Sequence, residues 1–138
     1  MTLSIGFLLP TREMVMNRQE QHFARLLDLA LEAENAGFDG VWVGDSILAR
    51  PRFEPLTTLA AVAARTRRIE VGTAVLLSAL HNPVVLANQV ASLDLVAQGR
   101  LVLGLGTAAR NDANRAEFET IGLPFERRIG LFEEGIEV

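Results

Sequence analysis

Polar side chains able to hydrogen-bond a ligand follow directly after one of the short apolar runs of the chain. Asp45 and Ser46 come after residues 40–43, and a carboxylate beside a hydroxyl can bond a substrate or a cofactor ring. The same pair is equally suited to capping the following turn, because short Asp and Ser side chains bond readily to nearby backbone N–H groups. From chemistry alone, both roles stay open.

The two histidines are the other candidates for acid–base work. His81 has an unperturbed pKa of about 6.5, suitable for an acid or a base, but it precedes an Asn-Pro helix start, where a structural role is more common. His22 lies in the first predicted long helix without a partner, so we expect no catalytic role for it. The chain has no cysteine, and its His, Asp and Glu residues lack metal-ligand spacing, so we predict no metal site.

A glycine-rich segment raises a different possibility. Residues 104–109 read Gly-Leu-Gly-Thr-Ala-Ala, which matches the dinucleotide fingerprint G-x-G-x-x-A. The segment follows the fourth apolar run instead of the first, and Glu126, near the expected acidic spacing, is not at a strand end. One alternative is therefore a small Rossmann-type NAD(P)-binding protein. The other is that small residues let a flat ring approach the backbone here.

The elements that must position these residues repeat along the chain. Four apolar runs begin about every 30–38 residues, close to the length of one βα unit. They are almost continuously apolar, as expected of parallel strands covered on both faces. The pattern predicts an α/β fold with a parallel sheet. The predicted strands are 3–9, 40–43, 69–77 and 100–105.

Helical spacing fills the intervals between the predicted strands. Asn17 and Glu20 form a predicted capping box for a helix that stops at Gly37. Its core face is predicted to contain Phe23, Leu26, Leu27, Ala30 and Ala33.

The remaining predicted helices cover 55–66 and 83–97, with a last one from after Pro124 that still continues at Val138. Four βα units are half of a (β/α)₈ barrel, which typically has about 250 residues. A small doubly wound sheet is the other architecture that they allow.

Composition limits the class of protein. The chain has 138 residues, of which 49% are hydrophobic and 22% charged, as expected of one folded domain. Its net charge of −4 provides no basic surface for nucleic acid. The start lacks the features of a signal peptide, and no apolar run reaches the roughly 18–20 residues that span a bilayer. We therefore expect a cytoplasmic protein that does not bind membranes.

Four segments, in this order and spacing, resemble the bacterial luciferase-like family of flavin- or F420-dependent oxidoreductases. Each is short and common by itself, but the ordered set is specific and extends over most of the chain. The segments are AGFDGVWVGD at 36–45, EPLTTLA at 54–60, RIEVGTAV at 68–75 and LDLVAQGRLVLGLG at 93–106.

The resemblance implies a fold and a set of site residues. The family fold is a (β/α)₈ TIM barrel, so residues 1–138 would be the N-terminal half of a single barrel domain. A cis peptide bond between Ala74 and Val75 would bulge toward the cofactor ring. Gly106 and Thr107 would lie beside the ring or its side chain, and Asp45 matches the acidic residue before the family's active-site histidine.

The chain departs from the family pattern at two positions. Ser46 stands where many members have that histidine, and Ala109 where some F420 dehydrogenases have a glutamate. A serine can donate a hydrogen bond, but it is not a general base near neutral pH. Asp45 and Ser46 remain the catalytic candidates, and Ala74, Val75, Gly106 and Thr107 the cofactor-binding candidates.

The implied activity is hydride transfer to, or monooxygenation of, a small organic substrate with F420 or reduced FMN. F420 is slightly favoured, because the Gly-Asp before Ser46 and the Gly-Leu-Gly-Thr turn look closer to F420-dependent members.

The family often dimerises through the second and third helices, and the alanine-rich stretch 59–64 suits such an interface. A non-catalytic half-barrel that serves as an assembly partner is the remaining alternative. Isolated, a half-barrel has two unpaired strand edges, so we expect it to self-associate.

Overall fold

A computed structural model describes residues 3–17 and 23–138. The strands are β1 (Gly6–Leu8), β2 (Gly40–Val43), β3 (Glu70–Leu76) and β4 (Leu101–Leu105). The helices are α1 (Thr11–Met16), α2 (Phe23–Ala36), α3 (Pro55–Arg65), α4 (Pro83–Ala97), α5 (Asp112–Thr120) and α6 (Arg128–Ile136), with 3₁₀ turns at Ser78–Leu80 and Phe125–Arg127. All four predicted strands are present, although the first is shorter than the apolar run that predicted it.

The four strands form one parallel sheet in the order β1-β2-β3-β4. Gly40 is opposite Gly6 on one side and Glu70 on the other, and Val71 pairs with both Val41 and Leu101. The described strands therefore follow chain order, without the reversal that defines a doubly wound fold. The predicted parallel α/β architecture is confirmed, in the barrel-like form.

The core lies between the helices and one face of the sheet. Val41, Val43 and Val71 point to this face and are fully buried. They belong to one apolar cluster with Leu26 of α2 and Leu59 of α3. The predicted core face of α2 is confirmed, because Leu26, Ala30 and Ala33 are buried while Phe23 and Leu27 pack partly buried against them.

The opposite face of the sheet has a row of residues in register: Leu8, Trp42, Gly72 and Val102. The Trp42 indole spreads over its neighbours, since a Cβ at Gly6 or Gly72 would overlap the ring. Leu8 and Val102 remain 57% and 38% exposed, so no described helix covers this row. In a closed barrel this face would be the packed interior.

The sequence patterns missed the short helix α1 and the helix α5. In α5 only Phe118 is a large apolar residue, so the stretch lacks an apolar stripe, although Asn111 caps its N-terminus through Asn114 N–H at 2.9 Å. The last helix was predicted to continue at Val138, but α6 ends at Ile136. Asn17 ends α1, with its N–H donating to the Glu13 carbonyl.

Two of the predictions for the first long helix cannot be compared in full. The predicted capping partner Glu20 and the histidine His22 both lie outside the described residues. Within the ranges that are described, no helix is long and apolar enough to cross a membrane.

Candidate functional site

A cavity of about 460 Å³ lies at the carboxyl ends of β2, β3 and β4. Ligands of parallel α/β folds bind at this edge, because the loops after the strands converge there. All six site residues predicted from the sequence line the cavity: Asp45, Ser46, Ala74, Val75, Gly106 and Thr107. The structure thus brings together positions that are up to 62 residues apart in the sequence (45 to 107).

The floor of the cavity is an irregular end of β3. The peptide bond between Ala74 and Val75 is cis, as the resemblance implied, and the β3–β4 register shifts between Thr73 and Leu76. The Val75 carbonyl accepts from Asp45 N–H at 3.1 Å, and Gly106 N–H donates to the Leu76 carbonyl at 2.9 Å. These two bonds fix the bulge between the neighbouring strand ends.

Glycine is required beside this bulge. A Cβ on Gly106 would lie 2.5 Å from Val75 Cγ2, and one on Gly104 would overlap the Thr73 carbonyl oxygen. Such approaches are tighter than real side chains tolerate, so a larger residue at either position would push the bulge into the cavity. The bulge keeps its position because Gly104 and Gly106 present no side chains to it.

Asp45 joins the ends of two strands. Its Oδ2 accepts from Leu77 N–H at 3.0 Å and lies 3.4 Å from His81 Nε2. The Asp45 side chain is only 4% exposed, against 21% for His81. The turn-capping alternative for Asp45 is therefore wrong, since the contacts of its carboxylate are beyond β3. His81 lies against the predicted site residue Asp45, which sequence spacing did not indicate.

Ser46 is hydrogen-bonded to Glu117, a residue that the sequence patterns did not indicate. Its Oγ donates to Glu117 Oε1 at 2.9 Å and accepts from Arg50 N–H at 2.8 Å. A hydroxyl has one hydrogen, so Ser46 has none left for a ligand while this bond persists. Its geometry favours a loop-fixing or accepting role over the donating role expected from the sequence.

Glu117 is fully buried in α5 and binds residues 46–49 of the loop after β2. Besides Ser46, its Oε1 accepts from the N–H groups of Ile47, Leu48 and Ala49 at 2.5, 2.8 and 3.4 Å. Its Oε2 has no partner among the described residues. Sequence reasoning had no means of finding this contact, because Glu117 is 71 residues from Ser46 in a stretch that was not predicted to be helical.

The loop after β4 is fixed by the two last helices. Asn114 Nδ2 donates to the Ala109 carbonyl at 2.7 Å, and Arg128 Nε lies 3.4 Å from the Ala108 carbonyl. Ala108 has a positive φ of 62°, which turns the chain between Thr107 and α5. The helix α5 therefore supports both sides of the cavity, through Glu117 and through Asn114.

The dinucleotide interpretation of residues 104–109 fails on this geometry. In a Rossmann fold the fingerprint opens a helix directly, whereas α5 begins only at Asp112 and the fourth strand precedes it. The strand order β1-β2-β3-β4 also argues against a Rossmann fold, because it lacks the reversal of strand order that defines that fold.

Comparison with known proteins shows the family to which the chain belongs. The family described as luciferase-like monooxygenase matches residues 3–138, and the chain belongs to that family. The chain is 39% identical over 89 residues to an F420-dependent glucose-6-phosphate dehydrogenase of Amycolatopsis mediterranei, a match that covers 59% of this chain and 26% of the relative.

Solved structures place the fold within larger barrels. Monooxygenase RslO1 from Streptomyces bottropensis is 29% identical with a TM-score of 0.79, covering 98% of this chain and 41% of that one. The oxygenating constituent of 3,6-diketocamphane monooxygenase from Pseudomonas putida, in complex with FMN, has a TM-score of 0.82 at 20% identity, covering 99% and 38%. The chain therefore spans less than half the length of these proteins, and its fold is part of a luciferase-like TIM barrel.

Proposed function

We propose that the complete gene product containing this chain is an oxidoreductase that uses F420 or FMN on a small organic substrate. The observation that carries the proposal is the cavity itself, in which the irregular end of β3, Gly106 and the Asp45 loop meet at the carboxyl end of the sheet. When bound, either cofactor supplies hydride chemistry, and reduced FMN also supplies reaction with oxygen.

The residues present suit a flat tricyclic ring. The strand ends offer small residues to such a ring, among them Gly44, Ala74, Gly106 and Ala108, while polar side chains such as Arg52 and Asn114 line the rest of the cavity. The cavity volume falls within the range of about 300–1,000 Å³ that is usual for ligand sites. Val75 is 42% exposed at the bulge and offers an apolar surface on which such a ring can rest.

F420 is the cofactor that we favour. The dehydrogenase from Amycolatopsis mediterranei, 39% identical in the matched segment, is F420-dependent. The FMN-containing neighbour is only 20% identical and supports the fold alone.

The chain's own residues shape and orient the site in this proposal. Asp45 fixes the strand end through Leu77 N–H, and its Oδ2 lies 3.4 Å from His81 Nε2, which holds the carboxylate in place at the cavity wall. Ser46 keeps the loop after β2 closed over Glu117. These contacts make Asp45 and Ser46 positioning groups for a bound ring.

We also propose that residues 1–138 are the first four βα units of a single eight-unit barrel. The uncovered row Leu8, Trp42, Gly72 and Val102 supports this, because a complete barrel would pack its second half against that face. A cytoplasmic location and a homodimer built on α3 and α4 stay predictions from the sequence.

Cofactor binding tests the proposal directly. The complete gene product would be titrated anaerobically with F420 and FMN, each oxidised and reduced, and followed by cofactor absorbance and equilibrium dialysis. Binding of F420 alone is the expected result and indicates a dehydrogenase or reductase. Binding of reduced FMN would instead indicate oxygen chemistry. A protein that bound neither would contradict the proposal and favour the assembly-partner alternative.

A further inference from the structure

A cationic side chain forms one wall of the cavity and has no assigned role. Arg52, in the loop between β2 and α3, lies so close over the backbone of Gly44 that a Cβ there would overlap its Nη1 atom. Its Nε lies 3.3 Å from the Arg50 carbonyl, which fixes the stem of the guanidinium. Arg52 is thereby held at the strand ends, on the β2 side of the bulge.

Among residues 3–17 and 23–138, no ion pair neutralises the charge of Arg52. None of the described carboxylates forms a salt bridge with Arg52, Arg50 or Arg12. The nearby carboxylate of Asp45 already accepts from Leu77 N–H and faces His81. A guanidinium has five N–H donors, and only the one on Nε has a described acceptor, so the donors on both Nη atoms are available.

The surroundings of Arg52 are unfavourable to a lone cation. Burial and the charge of Arg12, with a smaller effect from Arg50, lower the pKa of Arg52 and outweigh the attraction of Asp45 and Glu13. A partly buried arginine among other arginines gains most from an added anion. An oxyanion in the cavity would supply this missing charge.

We propose that Arg52 binds an oxyanion of the substrate, a carboxylate or a phosphate, at the β2 side of the cavity. The inference rests on the proposed function, because it assigns the ring to the bulge and Gly106, and the substrate's oxyanion to Arg52 on the β2 side, next to Ala74. A planar guanidinium pairs with both oxygens of such a group at once, which fixes orientation as well as affinity. The substrate class is therefore acidic.

Direct binding of small anions tests this assignment without requiring turnover. The complete gene product, free and loaded with F420 or FMN, would be titrated calorimetrically with benzoate, with its neutral counterpart benzamide, and with inorganic phosphate. The variants are Arg52→Gln, Arg52→Lys, and Arg67→Gln as control. Arg67 is exposed at the opposite end of the sheet and forms no described ion pair.

We expect at least one anion to bind more tightly than benzamide, and Arg52→Gln to weaken that binding about tenfold or more, as for a lost charged hydrogen bond. Arg52→Lys should recover part of the affinity and Arg67→Gln should leave it unchanged. Cofactor affinity should shift less than the anion affinity in every variant.

Other outcomes separate the possible failures. If neither anion is bound, or if Arg52→Gln binds both as well as the parent protein, the inference is wrong even when the cofactor binds. If Arg52→Gln loses cofactor affinity as strongly as anion affinity, the oxyanion belongs to the cofactor and the substrate assignment is wrong. If no cofactor binds but the anion effect persists, the anion site is supported and the proposed function has failed.

Discussion

Two glutamates at opposite ends of the sheet hold loops by the same means. Glu34, at the end of α2, accepts the N–H groups of Arg67, Arg68 and Ile69 on Oε1 at 2.9, 2.6 and 3.0 Å, just before β3 begins. Glu117 does the same for the loop that follows β2, and adds the Ser46 hydroxyl.

The difference lies in what each loop does. The loop held by Glu34 only leads the chain into β3, whereas the loop held by Glu117 lines the cavity. In parallel barrels the amino ends of strands serve stability and the carboxyl ends serve ligands. The same carboxylate-to-backbone hydrogen bonding therefore stabilises the fold at one end of the sheet and shapes the site at the other.

The largest effect is expected from removing the two carboxylates. Glu117→Ala leaves the buried Ser46 hydroxyl and three partly buried N–H donors without their acceptor. It should lower the free energy of unfolding by about 3–5 kcal/mol, with cofactor affinity reduced as well. Glu34→Ala should cost about 2–3 kcal/mol and leave the affinity of the folded protein unchanged. Urea unfolding and cofactor titration of both variants measure the contrast. Equal losses of affinity would contradict the division between the two ends.

Glycines provide a second pair of substitutions, with a smaller effect. Gly106→Ala places a Cβ 2.5 Å from Val75 Cγ2, so it should cost about 1–3 kcal/mol and distort the floor of the cavity. Gly99 has φ +77° in open space near the start of β4, and Gly99→Ala should cost about 1 kcal/mol through backbone strain alone. Only Gly106→Ala should weaken cofactor binding. Weaker cofactor binding by Gly99→Ala would contradict the expectation that only the glycine beside the cavity affects the cofactor.

The stability that Glu34 contributes is expected to depend on pH. Burial opposes its ionisation, but the three backbone N–H bonds and the nearby charge of Arg68 prevail and hold its pKa below the ordinary 4.5. A lowered pKa contributes stability that is complete above pH 4.5 and is lost as the pH falls through the native pKa. Glu34→Gln should therefore cost about 1–2 kcal/mol near pH 7 and progressively less below pH 4.5. Urea midpoints between pH 3 and 7 provide the measurement, and a pH-independent difference would rule out the ionic role.

The smallest loss of stability is expected from removing the Ser46 hydroxyl, which binds Glu117 in addition to the backbone N–H groups. Ser46→Ala removes the bond to Glu117 Oε1 and the acceptor of Arg50 N–H. It should cost about 1 kcal/mol, because three backbone donors remain on Glu117 Oε1. Cofactor affinity should fall by less than in Glu117→Ala. Thermal unfolding and dialysis of the two variants test the order, and a reversed order would make Ser46 the principal group of the loop.

Much of this arrangement follows from local sequence patterns. Apolar runs located the four strands, and proline with Asn82 marked the start of α4, whose first N–H groups the Asn82 side chain accepts. Resemblance supplied the cis bond at Ala74, and strand-end logic brought Asp45, Ala74 and Gly106 to one edge. Such features depend on neighbouring residues in the chain or on strand direction, and can therefore be predicted from the sequence.

The rest depends on contacts that no local pattern encodes. Glu117 looks like any solvated acidic residue in a polar stretch, and only the packing of α5 beneath the loop after β2 shows that it is buried. His81 meets Asp45 across 36 residues, and Arg52 covers Gly44 through a loop without periodicity. Long-range side-chain contacts of this kind decide how the predicted residues are oriented.

Trp42 gives the protein a built-in optical reporter. It is the single tryptophan of the chain, which has no tyrosine, so the emission of this chain comes from one indole. That indole spreads over Gly6 and Gly72 on the uncovered face of the sheet, two residues before Gly44 at the cavity. Its emission wavelength therefore reports whether this face is wet or packed, and energy transfer from it to a bound flavin or deazaflavin would register occupancy without any added label.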